Sequence, residues 1–376
     1  MDKLKIVFLS AIKLTVYGGG ERWIMDIGNE LVEKGYKVTV ITSNWIPPKE
    51  KERVSLGKLF KQIKFEYKIM NKFFIKFRSF VEFFTLFNDV DILYLTDWYP
   101  HVLQPIVSVY INKIKRIVIG THSPFSYQHK TWRYKMHIIK IISKKLNKYN
   151  NFIFIHALNS LQAKWYKKLG FKHIYLVPNF IDSKYYLYPQ KTENFVILFL
   201  GRFTKQKGID LLPQIIEKVL KKIKKIKFWV CGSGDPYYES LIKKLEKRYP
   251  KNVKYFGFVP EERKVELLSK ASLFLVPSRT EGQPIAVLEA LVSGSPFLGS
   301  NIIAFNDLIK LYNKSFGWIA KEYKPETFAE KILEIYQKWK ENPDKYFEER
   351  RYIAEKAREI FDIKKVVDTF IYYFLL

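Results

Sequence analysis

The chain of 376 residues holds one cysteine, Cys231. An internal disulfide is therefore excluded, and a reducing compartment is the expected setting. No run approaches the roughly 18 consecutive apolar residues that a membrane-spanning helix needs. The apolar stretch near the start, KIVFLS, is too short for the core of a signal peptide and reads as a strand. We expect a cytoplasmic chain, or one peripheral on the inner face of a membrane. Histidines number only six, and no Cys/His/Asp cluster has the spacing of metal ligands. Asp89-Val90-Asp91 precedes an apolar strand, Ile92–Leu95, whereas open parallel sheets bind ligands beyond the carboxyl ends of their strands. No metal is expected. Acidic residues are the minority charge, 37 against 65 Lys and Arg, for a net charge of +28.

Such a balance favours polyanions: nucleic acid, anionic lipid or phosphorylated substrates. Aromatic residues make up 17% of the chain. The two features meet at residues 71–87 (NKFFIKFRSFVEFFTLF), which read as a helix. Either its inner side is buried and a few Phe stay exposed, or it lies in a bilayer interface with Lys72, Lys76 and Arg78 at the headgroups. Residues 131–148 form a second basic helix, on an acceptor-side or membrane-side surface. Against nucleic acid, the basic residues are scattered and no RNP, zinc or helix-turn-helix signature is present.

Strands and helices alternate. Lys5–Ser10 is a strand, a loop ends in Gly18-Gly19-Gly20, residues 21–34 have helical spacing, and residues 37–42 form the next strand. This βαβ unit implies a parallel sheet. The triple glycine is not G-x-G-x-x-G, so a dinucleotide is not expected. Residues 63–69, Ile92–Leu95, Arg116–Gly120 and 151–156 read as further strands, with Thr121-His122 at the carboxyl end of Arg116–Gly120. The stretch 185–193 (YYLYPQKTE) reads as a linker. A second set of strands and helices starts at residue 195. The expected domains are 1–186 and 187–355, with a closing helix at 356–376.

Two stretches of the second set carry chemistry. In the first, Gly201-Arg202 follows a strand, with Lys207-Gly208 ahead of a helix at 209–223. A guanidinium fork and an ammonium point charge beside a glycine suit a diphosphate. The second is PSRTEGQPIAVLEA, residues 277–290, between an apolar strand at 271–276 and a helix beginning at Pro284. A helix start presents free N–H groups and a positive dipole end, an anion site. Glu281 on the loop and Glu289 in the helix put carboxylates beside it. Glu289 stands among Val287, Leu288, Ala290 and Leu291, and a glutamate so placed faces a specific partner. Carboxylates beside an anion site suit a ligand with both hydroxyls and phosphates, such as a nucleotide-sugar.

Glu281 and Glu289, separated by seven residues, resemble the donor-site signature of the retaining GT-B glycosyltransferases of family GT4. Gly201-Arg202 with Lys207-Gly208-Ile209-Asp210 is similar to that family's GR…KG-x-D motif. Gly19-Gly20-Glu21-Arg22 looks like its GG-x-E/R loop, and Gly232-Ser233-Gly234 like its G-x-G. Val177-Pro178-Asn179 resembles the phrase ending its first domain, although Phe180 stands where glycine is usual. The resemblance covers nearly the whole chain and is weakest over residues 49–90. It implies an α/β chain of GT-B type: two Rossmann-like, doubly wound parallel-sheet domains facing a cleft, with the last helix crossing back to the first. It implies transfer of a sugar from a UDP- or GDP-sugar to a hydroxyl of a glycan, lipid-linked glycan or other acceptor, with retention and without metal or cofactor. It places Arg202 and Lys207 on the diphosphate, Glu289 on the ribose, and Glu281 and His122 on the sugar hydroxyls. Backbone at Gly19, Gly20, Gly232, Gly282, Gln283, Pro284 and Ile285 completes the donor pocket. A GT-B sugar-nucleotide epimerase, which needs no acceptor, and a polyanion- or nucleic-acid-binding protein are the alternatives.

Overall fold

The computed structural model describes residues 3–10, 14, 19–43, 62–70, 87, 89–96, 113–122, 140–141, 143–144 and 146–376. The chain divides into two compact units, Met1–Asn179 with Ile363–Leu376, and Phe180–Asp362. The basic-aromatic helix expected at 71–87 lies outside the described residues except at Phe87, as does most of the one at 131–148. No helix among the described residues is long and apolar enough to cross a membrane, and these residues hold no cluster of acids, histidines and cysteine that could bind a metal.

The first unit carries a seven-stranded sheet in the order β3-β2-β1-β4-β5-β6-β7. Its strands are β1 (Lys5–Ser10), β2 (Lys37–Ser43), β3 (Glu66–Met70), β4 (Ile92–Leu95), β5 (Arg116–Gly120), β6 (Ile153–Ala157) and β7 (His173–Leu176). All neighbours are parallel. The central strands are apolar because helices cover both faces of such a sheet; in β4 all four residues are buried. The edge strand β7 is only half-buried, so its apolar signal is weak and sequence reading passes it over. The helix Gly19–Glu33 begins two residues earlier than its spacing suggests. Gly19 and Gly20 therefore form its first turn, where N–H groups lack helical partners, rather than the loop before it.

Asp91, at the amino end of β4, accepts a bond from the Lys5 amide at 2.8 Å and pairs with Lys115 at 2.8 Å. The D-x-D sequence thus pins strand starts together. The last helix, Ile363–Phe374, packs in the first unit. Its Phe370 ring lies 6.4 Å from Trp23 and 5.7 Å from Tyr94.

The second unit repeats the plan with six parallel strands in the order β10-β9-β8-β11-β12-β13. They are β8 (Val196–Leu200), β9 (Lys227–Cys231), β10 (Val253–Gly257), β11 (Leu273–Val276), β12 (Phe297–Ser300) and β13 (Gly317–Ala320). The strand order reverses between β8 and β11, and ligands of such sheets bind beyond the carboxyl ends at that switch point. Helices Leu212–Lys222, Pro236–Arg248, Glu261–Lys270, Ile285–Val292, Pro325–Glu341 and Pro343–Phe361 surround the sheet. The helix expected from residue 209 starts at Leu212, after a short 3-10 turn, Lys205–Lys207. Pro284 flanks the helix Ile285–Val292 as its cap rather than opening it.

Two arginines of Pro343–Phe361 tie this unit internally. Arg350, 3% exposed, donates to the carbonyls of Gly294, Gln190 and Ser269 at 2.9, 3.1 and 2.7 Å. Burial pulls its guanidinium down to about 10, still charged at neutral pH. Arg358 donates to the carbonyls of Val292, Ser183 and Tyr186 at 2.9, 3.2 and 2.7 Å. These bonds satisfy carbonyls at the end of Ile285–Val292 and hold the Tyr186 segment beside it. Cys231 is buried at the end of β9, where loss of hydration pushes its thiol up to about 12.

Candidate functional site

Beyond the carboxyl ends of β8 and β11 two loops run together. One holds Gly201, Arg202 and the turn Lys205–Lys207; the other runs from Pro277 to Pro284. The amide of Arg279 donates to the Gln206 carbonyl at 2.8 Å. The Arg279 guanidinium grips Asp210 with two bonds of 2.7 Å and lies 4.6 Å over the Tyr323 ring. Such a bidentate pair fixes orientation as well as distance. Tyr323 donates to the Pro277 carbonyl at 2.9 Å. Gly208 ends the 3-10 turn in the left-handed region, φ 73°, and a Cβ there would stand 1.9 Å from the Pro277 oxygen. Only glycine allows the loops this close.

The result of that approach is an ion pair. Lys207 Nζ lies 2.7 Å from Glu281 Oε1, and the Glu281 side chain is 6% exposed. The sequence expects the two on different parts of a ligand; the structure brings them together. Three ammonium donors let Lys207 hold Glu281 and still meet an oxyanion.

Glu289 is buried on the helix Ile285–Val292. Its Oε1 accepts from Tyr186 Oη at 2.7 Å and from Lys264 Nζ at 2.7 Å. Lys264, also buried, reaches Glu261 Oε2 at 2.8 Å. Neither Tyr186 nor Lys264 was singled out from the sequence. A buried carboxylate demands a buried donor, but no spacing rule says which lysine of so basic a chain supplies it. Arg202 follows β8 after Gly201. Gly282, Gln283 and Pro284 lead into the helix Ile285–Val292, and first-turn N–H groups of a helix in general suit an anion.

Gly232 follows β9 with φ 130°, and a Cβ would lie 1.9 Å from the Gly201 oxygen. The β9 turn is thereby packed onto the turn that carries Arg202. The Phe203 amide donates to the Ser233 carbonyl at 2.9 Å, which secures the same contact.

His122 belongs to the first unit, beyond β5. Its Nε2 lies 3.0 Å from Tyr94 Oη, and its ring is 4.2 Å from that of Trp23. Tyr94 Oη is also 2.7 Å from His156 Nδ1, and His156 Nε2 is 2.8 Å from the Val177 oxygen. The sequence offers no argument for His156, yet it stands in line with His122. Loss of hydration, with His156 beside it, holds His122 well below the usual histidine range. Burial, opposed by the bond to Val177, brings His156 down to about 4.

Both rings are neutral at pH 7. A histidine whose folded pKa is depressed binds protons more readily in the unfolded chain, so its contribution is complete above about pH 6.5. It is lost as pH falls from there through about 4. Urea unfolding of the wild type is expected to lose up to about 3 kcal/mol more across that window than His156→Leu. Parallel losses in the two proteins would refute the assignment.

Comparisons with known proteins agree with this architecture. Residues 188–360 match the family Glycosyl transferases group 1, and residues 17–185 match Glycosyltransferase Family 4. Among curated proteins, the chain is 29% identical to the glycogen synthase of Mycoplasma mobile over 176 residues, 46% of this chain and 37% of that protein. The match thus spans little more than a third of that relative's length. Among solved structures, sucrose-phosphate synthase of Thermosynechococcus elongatus superposes with a TM-score of 0.72 at 17% identity, covering 98% of this chain and 97% of that one. HepE of Anabaena, solved in complex with UDP, gives 0.73 at 14% identity, covering 98% of this chain and 99% of that one. At such identities the likeness is one of fold, the two-sheet GT-B fold. With one family domain over residues 17–185 and the other over 188–360, the chain belongs to the family 4, group 1 glycosyltransferases.

Proposed function

We propose that the protein moves a sugar from a nucleoside-diphosphate sugar to an acceptor hydroxyl, with retention of anomeric configuration and without a metal. The observation that carries this reading is the Lys207–Glu281 pair at 2.7 Å, which joins the loops beyond β8 and β11 at the switch point of the second sheet. It offers fixed positive charge for a diphosphate and a carboxylate for hydroxyls. Curated relatives named glycogen synthase, and UDP in the HepE structure, support a nucleotide-sugar donor.

In the reaction, the bond between the sugar's anomeric carbon and the diphosphate oxygen breaks. The acceptor oxygen bonds to that carbon on the same face, and its proton passes to the departing diphosphate. Negative charge therefore grows on the diphosphate, and Arg202 and Lys207 stabilise it. Preorganised charge at a developing oxyanion is the largest catalytic device available to such a site. Glu289 accepts from the ribose, and Glu281 and His122 bond sugar hydroxyls. In the second unit, backbone at Gly232 and Gly282 to Ile285 lines the donor. The acceptor hydroxyl belongs to a glycan, a lipid-linked glycan or another acceptor.

Thermal unfolding with UDP, GDP and ADP tests the donor site. One nucleotide at about 100 times its dissociation constant is expected to add roughly 2.7 kcal/mol, and Arg202→Ala is expected to lose that gain. No stabilisation by any of the three at millimolar concentration would count against the reading.

A further inference from the structure

The chain His122–Tyr94–His156–Val177 has only one consistent placement of protons. The Val177 carbonyl can only accept, so the 2.8 Å contact puts a proton on His156 Nε2. In the neutral ring, Nδ1 is then an acceptor. Tyr94 has one hydroxyl proton, and the 2.7 Å contact to Nδ1 takes it. The Tyr94 oxygen is left to accept from His122 Nε2 at 3.0 Å. His122 thus carries its proton on Nε2 and a bare lone pair on Nδ1. No described residue bonds to that Nδ1.

The fold commits space to this arrangement. Gly120 has no side chain, and a Cβ there would lie 1.8 Å from Tyr94 Oη; the glycine two residues before His122 is what admits the hydroxyl. Tyr94 and His156 are both buried, in an aromatic wall with Phe8 at 5.1 Å from Tyr94 and Phe374 at 5.4 Å from His156. Water has little access to scramble the order.

We propose that Tyr94 and His156 are positioning residues that lock His122 with its proton on Nε2, so that Nδ1 serves substrate only as a hydrogen-bond acceptor. The group it meets is then a hydroxyl and not a phosphate. This rests on the glycosyltransferase reading for the identity of the substrate, whereas the proton order does not depend on it.

Nitrogen-15 spectra of the histidine rings, recorded on the full chain at pH 7 without nucleotide, read the tautomer directly. In wild type, His122 is expected to show a protonated Nε2 and an unprotonated Nδ1, with His156 in the same tautomer. His156→Leu frees the Tyr94 proton to turn toward His122, so the population with a proton on Nδ1 should rise at least several-fold. Tyr94→Phe removes the acceptor altogether and should shift both His122 nitrogens toward tautomer averaging. The remaining amide spectrum reports whether each variant is folded. A proton on Nδ1 of His122 in wild type would overturn the proposal, as would unchanged His122 nitrogens in either folded variant. Failure of every nucleotide to bind would leave these spectra as they are, so the two readings fail separately.

Discussion

Lys207→Ala is expected to lower transfer by about 10²–10³-fold, the cost of removing one preorganised donor from a developing oxyanion. Two effects act in the same direction. The ammonium proposed to meet the departing diphosphate is gone, and Glu281, whose side chain is 6% exposed and paired at 2.7 Å, is left as an uncompensated negative charge beside the proposed diphosphate site. The second effect weakens nucleotide binding itself, because a like charge disfavours the ligand before any chemistry starts. The double variant Lys207→Ala/Glu281→Gln separates them. It should regain much of the nucleotide affinity, measured by calorimetry with whichever diphosphate stabilises wild type. Turnover should stay low, because the positive charge is still missing. A single variant within tenfold of wild type in turnover would remove Lys207 from the mechanism.

Lys264→Met is expected to cost about 3–5 kcal/mol of stability, the usual penalty for breaking a buried pair from one side. Lys264 and Glu289 side chains are 8% and 5% exposed, so water cannot replace the lost partner. Tyr186 would still donate to the carboxylate, and a neutral hydroxyl does not replace the ammonium's charge. Replacing both, Lys264→Met with Glu289→Leu, should restore most of the stability, since an apolar pair of similar volume is often neutral in such places. Urea unfolding of the two variants checks this. A single variant with an unchanged midpoint would show that Glu289 is held by other contacts. The double variant should also lose nucleotide binding even though it folds, if Glu289 meets the ribose.

The glycine turns of the candidate site could be read in advance because backbone geometry restricts the residues that build them. Gly208 and Gly232 sit at positive φ with a carbonyl oxygen 1.9 Å from any Cβ, and glycine at such a turn is visible in a sequence. Apolar strands such as β8 (VILFL) and β11 (LFLV) are visible for a similar reason, being buried on nearly every residue. Strands β12 and β13 went unread: each has four residues, and FLGS and GWIA carry no alternation. The partnerships were not legible at all. Lys207 meets Glu281 across 74 residues, Lys264 meets Glu289 across 25, and Tyr94 meets His156 across 62. Those contacts follow from the strand order, which places chain ends side by side that no local spacing connects. Lys264 was one cation among 65, and only its burial distinguishes it.

The buried thiol of Cys231 has a practical consequence. With its pKa pushed up to about 12, it is almost entirely protonated at pH 8, with on the order of one molecule in 10⁴ as thiolate. Maleimides and methanethiosulfonates react with the thiolate, so the native chain is nearly blank to them. A cysteine introduced on the surface, with an ordinary pKa near 8.5, would be the reactive one. Two such positions, one in each unit, would accept a pair of spin labels or dyes against that blank background, and distances between them could be followed as nucleotide is added.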